Sequence, residues 1–285
     1  MCKSMDQGSN YDWTTIWSIL PEKAQENLVN PSAKAIGDGV GGIFTWVFHK
    51  PIEYMAVEQA KVESLKHMTA EKLSKIPENK MDFSKSGLMV KALEDSKYSL
   101  DSEIMREYFS TLIAKAANKD TANKVSPYFS TILSNMSASD AHFLSKFKIK
   151  FESNEYVKGP DYIVNNDLPL CRMKLTGPHG EIAYTAENST FADYNKDKLQ
   201  AYTESLELLN SFRVLNYQYG IGKGHFRDDY EKMYNLLNVD EEQKGIDGKS
   251  QRIHYLTHAF TNAEAEYGYV ELTSIGQSFA NIVLL

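Results

Sequence analysis

Two histidines four residues apart, His254 and His258, fall on one face of a helix and have the spacing to grip a metal ion between their imidazoles. The glutamate that completes a hydrolytic zinc motif is missing, because Tyr255 follows the first histidine. The pair therefore reads first as packing or surface histidines and only second as ligands. Gly220, Gly222 and Gly224, with Lys223 and His225 between and after them, superficially resemble a phosphate loop. The lysine is too close to the first glycine and no Ser or Thr follows it, so a flexible turn is the simpler reading. A third glycine group, Gly37, Gly39, Gly41 and Gly42, lacks the preceding strand that a dinucleotide fingerprint needs. There is no Gly-x-Ser-x-Gly elbow, neither Cys2 nor Cys171 sits in a nucleophile context, and the acidic residues single out no catalytic pair. The expectation is a protein with no catalytic residue, no cofactor and no committed metal site, and hence not an enzyme.

The most strongly patterned stretch is Asp101 to Lys146. Ile104, Tyr108 and Leu112 form one row and Met105, Phe109 and Ile113 the next, which predicts a helix with a broad apolar face. Asp101 is expected to cap it, and Asn118 and Asp120 to end it. Ser126-Pro127 predicts the start of a second helix, with Phe129, Ile132 and Leu133 inward. A third is expected from Ser137, burying Ala141, Leu144, Phe147 and Phe151. Short helices that bury one another make a bundle. A long helix from Pro51 to about Lys75 carries interleaved Glu and Lys and a thin stripe of Ile52, Met55, Val62, Leu65, Leu73 and Ile76; a shorter one spans Gly87 to Ser96.

Ahead of these, Trp13, Ile16, Trp17 and Leu20 have helical spacing and read as a docking anchor. Ile43, Phe44, Trp46, Val47 and Phe48 lie in the most hydrophobic run of the chain. Burial on the bundle is the leading reading there, insertion into a membrane surface or a partner the second, because the run is too short to span a bilayer. Pairing of the small residues 37 to 42 with a second copy would give a homo-oligomer.

Beyond Phe151 the turn-rich Glu152 to Asp167 reads as a connection. Leu168 to Leu175 and Glu181 to Thr185 predict a hairpin around Gly177-Pro178-His179-Gly180. A helix over Asp197 to Asn210, an extended Phe212 to Leu215, a strand from Tyr267 and a final helix follow. The fold class is mostly α: a helical domain over 1–151, a connection over 152–167, and a smaller α+β domain over 168–285 with a helical insertion at 216–266.

Four pieces in order carry a resemblance: Ile76-Pro77-Glu78, the helix ending Tyr108-Phe109-Ser110-Thr111-Leu112-Ile113-Ala114, Pro127-Tyr128-Phe129, and Met136-Ser137-Ala138-Ser139-Asp140-Ala141. Together they resemble the Abi-alpha family, bacterial proteins, many carried on prophages, that are named for abortive infection. The closing Leu272-Thr273, Gly276 and Phe279 are similar to the end of that family, and the aromatic strand before them is similar to the wing of winged-helix domains. The resemblance implies an antiviral defence role and supplies no catalytic residues.

Composition sets the remaining limits. With 42% hydrophobic and 24% charged residues among 285, the chain can bury a core. Two cysteines and the lack of an apolar leader predict a reducing cytoplasm, with peripheral membrane contact through residues 36–48 as the alternative. From Phe191 to Leu285 nine basic residues face fourteen acidic ones, and the helix that would read DNA carries Glu204 and Glu207. Duplex recognition rests on clustered cations, so a protein partner through these glutamates is expected and nucleic acid is not. The functional expectation is a defence protein acting by protein binding. A phage-borne inhibitor of a host defence system, a membrane-perturbing effector and a DNA-binding regulator stay open.

Overall fold

The computed structural model describes residues 41–44, 47–48, 56–150, 161–184, 190–193, 198–237, 242–244, 250–252 and 262–285. The chain forms two compact units, one of residues 1–138 with 282–284, the other of residues 139–281 with 285. The described residues are helical and antiparallel β, an α+β protein.

The first unit is built on α3 (Glu103–Ala116), against which α1 (Ala56–Ser74), α2 (Ser86–Ser96) and α4 (Pro127–Ser134) pack. Met105, Tyr108, Phe109, Leu112 and Ile113 are buried as their spacing predicts, and Ile104 is half-buried. Between them Ser110 and Thr111 are buried too, because a helix with neighbours on three sides has little solvent face left. Both hydroxyls donate to the Glu107 carbonyl at 2.8 Å, which removes the cost of burying them unpaired. The stripe on α1 is Leu65, Thr69 and Leu73; Thr69 fits because its hydroxyl donates to the Leu65 carbonyl at 2.7 Å. Ser126 caps α4, accepting from the Tyr128 N–H at 3.2 Å, with Pro127 as the first helical residue. Asp101 does not cap α3. Ser102 occupies the cap position, and Asp101 reaches across to an ion pair with Lys61 instead.

In the second unit α5 (Ala138–Ser145) precedes a two-stranded pair, β1 (Lys148–Lys150) and β2 (Tyr162–Val164). The main sheet has the order β6 (Lys198–Ala201), β5 (Thr190–Asp193), β3 (Asp167–Thr176), β10 (Asn262–Leu272) and β7 (Leu215–Tyr219), with β4 (Ile182–Tyr184) also on β3. Every pairing in it is antiparallel. The β3–β4 hairpin is the one the Gly177–Gly180 turn predicts. One face of β3 offers Cys171, Met173 and Leu175 to Phe226, Tyr230 and Met233, the last two on α7 (Arg227–Leu237). On the other face Arg172 pairs with Glu266 at 2.6 Å and Lys174 with Glu264 at 2.7 Å. A separate pair, β8 (Glu242–Lys244) and β9 (Ser250–Arg252), lies within the expected helical insertion.

Several boundaries differ from the sequence reading. The helix expected to carry Phe147 and Phe151 stops at Ser145, with strand β1 following at Lys148, and the strand expected from Tyr267 begins at Asn262. The helix expected from Asp197 is α6 (Thr203–Ser211); Leu199 is drawn into β6, where it pairs with Ala192. The extended piece expected at Phe212 begins at Leu215, because α6 closes first with a left-handed residue. Arg213 has φ 55°, its N–H donates to Asn210 O at 2.9 Å, and the Val214 N–H donates to Leu209 O at 2.9 Å, the paired bonds of a Schellman ending.

The chain then meets α8 (Ser274–Val283) at a tight corner. The Thr273 N–H donates to Val214 O at 3.1 Å, and its hydroxyl donates to Arg213 O at 2.5 Å while accepting from the Gly276 N–H at 3.0 Å. A Cβ at Gly276 would stand 1.7 Å from the Val214 carbonyl oxygen. Gly276→Ala is expected to destabilise the unit by about 3 kcal/mol, since backbone on both sides has nowhere to yield. Gly41→Ala, where an added Cβ meets nothing within 4 Å, is expected to be neutral or to stabilise by about 0.5–1 kcal/mol. Urea unfolding of the two variants compares them directly, and equal midpoints would refute the close-approach account. Arg213→Gly should raise the midpoint, relieving roughly 1 kcal/mol of left-handed strain; a lowered midpoint would show that the arginine side chain matters more than its φ.

Candidate interaction site

α6 presents two unlike sides. Ser205, Leu206 and Leu209 are buried, while Glu204 and Glu207 are exposed, and neither glutamate forms an ion pair among the described residues. The helix carries no Lys or Arg, so its outer face is acidic along its length. Its far end is held by the Schellman closure and by the Thr273 corner, which together fix the direction in which the glutamates project.

A pocket of about 560 Å³ opens between the Gly220–His225 turn, α7 and β10. Tyr230, Tyr234 and Tyr267 give it aromatic walls; Arg227 and Glu231 stand one helical turn apart at its rim. The Tyr230 and Tyr267 rings lie 4.8 Å apart, inclined at 33°. The Tyr230 hydroxyl donates to Gly268 O at 2.8 Å and accepts the Lys223 N–H at 3.2 Å, so this ring is fastened at its polar end. Burial raises the pKa of both phenols, which stay protonated donors at neutral pH.

Lys223 itself is turned away from phosphate-loop work. Its ammonium binds Asp167 at 2.7 Å and Glu271 at 3.0 Å and sits 4.1 Å from the Tyr269 ring centre. Burial alone would lower its pKa, but the hydrogen bonds to Asp167 and Glu271 outweigh that and hold it above the usual lysine range. It is a fixed cation, not a base. His225 adds a 3.4 Å contact to the same Asp167 carboxylate. The turn is thus pinned to the near ends of β3 and β10, where a flexible turn was expected. On the opposite face the Arg172 guanidinium lies 3.4 Å and 4.1 Å from the Tyr184 and Tyr219 ring centres while bound to Glu266. These cations are committed to holding the sheet.

Of the other residues singled out in the sequence, Ile43, Phe44 and Val47 are buried, and Phe48 is half-buried with its ring 6.0 Å from Phe44 and the Lys97 ammonium 5.9 Å away. Contact with a bilayer through them requires leaving those positions. Trp46, His254 and His258 lie outside the described residues, as does the expected anchor at Trp13 to Leu20. Among the described residues no group of His, Cys, Asp and Glu is placed to hold a metal ion, and no helix is long and apolar enough to cross a membrane. Sequence reasoning missed the pocket. Its aromatic wall is spread over α7 and β10, and the only local signal was the glycine spacing at 220–224.

The model of the family described as Abortive infection alpha matches residues 57–283. No curated protein and no solved structure matches the chain. The match runs from α1 through the Thr273–Gly276 corner into α8, across both compact units, and so the chain belongs to the abortive infection alpha family, which associates it with abortive-infection phage defence.

Proposed function

We propose that the protein acts in abortive infection by binding another protein through the acidic face of α6, with no bond-making step of its own. The observation that carries this reading is the exposure of Glu204 and Glu207 on a helix whose inner side is buried and whose end is locked. Like charges that form no ion pair among the described residues, on a helix packed along its inner side, suit a basic partner surface, since charge complementarity sets register and on-rate. The commitment of Lys223 and Arg172 to structural ion pairs supports a binding role over catalysis.

The order α6, β7, β10 also supports a winged-helix-like reading of this part, with α6 in the place of the recognition helix. Such a helix reads duplex through cations. The sequence of Thr203–Ser211 has none, which favours a protein partner for the same surface. A gene carried on a prophage would serve this role or its mirror image, inhibition of a host defence protein, through the same contact.

The test is infection of a bacterial host carrying the wild-type gene or the Glu204→Lys/Glu207→Lys double variant, with plaques and survival of infected cells both scored. Wild type is expected to reduce plaques with early death of infected cells. The double variant, whose unfolding midpoint should match wild type because both positions are exposed, is expected to return plaques to vector level. Full protection by the stably folded variant would remove α6 as the contact; restored plaques in a host with an independent defence system would identify the inhibitor role.

A further inference from the structure

We propose that the pocket beside α7 binds a nucleotide, with the base against the tyrosine wall and the phosphate on Arg227. Three properties of the pocket lead there. Its volume of about 560 Å³ lies in the range of small-molecule sites and is far more than one protein side chain fills. Tyr234 and Tyr267 supply flat apolar surface on which a heteroaromatic ring stacks. Arg227, exposed at the rim, forms no ion pair among the described residues, although Glu231 lines the same pocket one helical turn away.

The neighbouring charges sharpen the assignment. Among the described residues that line the pocket the other cation is Lys223, whose ammonium is held by Asp167 and Glu271, so the guanidinium is the group left there for an anion. Its planar fork matches two phosphate oxygens at once. Glu231, farther along α7, is placed to accept from a base N–H or a ribose hydroxyl. On the turn side, a Cβ at Gly222 would come within 3.0 Å of the Tyr230 ring, and one at Gly224 would meet nothing within 4 Å. The first glycine lets the turn sit down on the ring, and the second leaves space beside Arg227 for the bulk of a phosphate.

The experiment is isothermal titration of the full chain with AMP, GMP, CMP and UMP, and with inorganic phosphate alone. At least one nucleotide should bind saturably at one site. Arg227→Gln and Tyr234→Ala should each weaken that binding about tenfold, the first by removing the fork and the second by removing the stacking face. Glu103→Gln, an exposed position on α3 outside the pocket lining, should leave it unchanged. No binding of any of the four up to millimolar concentration overturns the proposal. So does equal affinity for inorganic phosphate, or tighter binding of an end-blocked single-stranded oligonucleotide than of any mononucleotide. A nucleotide affinity unmoved by Arg227→Gln would likewise place the ligand elsewhere. The outcome is independent of the infection assay, which reads α6.

Discussion

One backbone carbonyl holds the second unit together. The oxygen of Val214 accepts the Thr273 N–H, and the first turn of α8 comes so near that only glycine fits at position 276. Thr273 meanwhile bonds Arg213 O and caps α8 through the Gly276 N–H. The end of α6, the start of β7, the end of β10 and the start of α8 therefore meet within a few atoms. Leu272 and Phe279, buried on either side of this corner, add apolar burial to the hydrogen bonds. A Leu-Thr-x-x-Gly-x-x-Phe run that looks like a signature of function is, in physical terms, the recipe for one joint: a strand residue, a cap, a close approach and a core anchor.

This separates what could be read in the sequence from what could not. Local periodicity carried α3, because Met105, Phe109 and Ile113 repeat every fourth residue and the tertiary environment agrees with that repeat. Proline and serine carried the start of α4, and the glycine turn carried the β3–β4 hairpin. Where a residue's state depended on a distant partner, local reading failed. Leu199 has helical spacing with Tyr202 and Leu206, yet a strand partner at Ala192 claims it. Asp101 has the chemistry of a cap, yet Lys61, forty residues earlier, draws it off. Nothing near Thr69 announces that its hydroxyl will be buried.

The pocket failed to appear for the same reason. Tyr230 and Tyr234 lie on α7 and Tyr267 on β10, more than thirty residues away, so no window contains the wall. The Gly220–His225 run reads in the sequence as a flexible turn, whereas in the fold it is pinned and the glycine at 222 is where it presses on Tyr230. Reading its lysine was harder. In the sequence Lys223 is a free cation beside glycines; in the fold two carboxylates from the ends of β3 and β10 have already claimed it.

Charge is thus divided between two kinds of work. Cations inside the second unit, Lys223 and Arg172, sit beside tyrosine rings and carboxylates, where partial burial strengthens each ion pair relative to a fully exposed one. The charges without an ion pair among the described residues, Glu204 and Glu207 on α6 and Arg227 on α7, sit on helices that pack against different strands of one sheet, α6 against β7 and α7 against β3 and β10. Gly268 is the hinge of that arrangement in a geometric sense: its missing side chain lets the Gln218 carbonyl approach from β7, and its own carbonyl receives the Tyr230 hydroxyl from α7. Coupling between the two surfaces would need an element with two alternative arrangements that both sites bias, and the hydrogen bonds from Arg213 through Thr273, and from Gly268 of β10 to Tyr230, are the ones such an element would have to exchange.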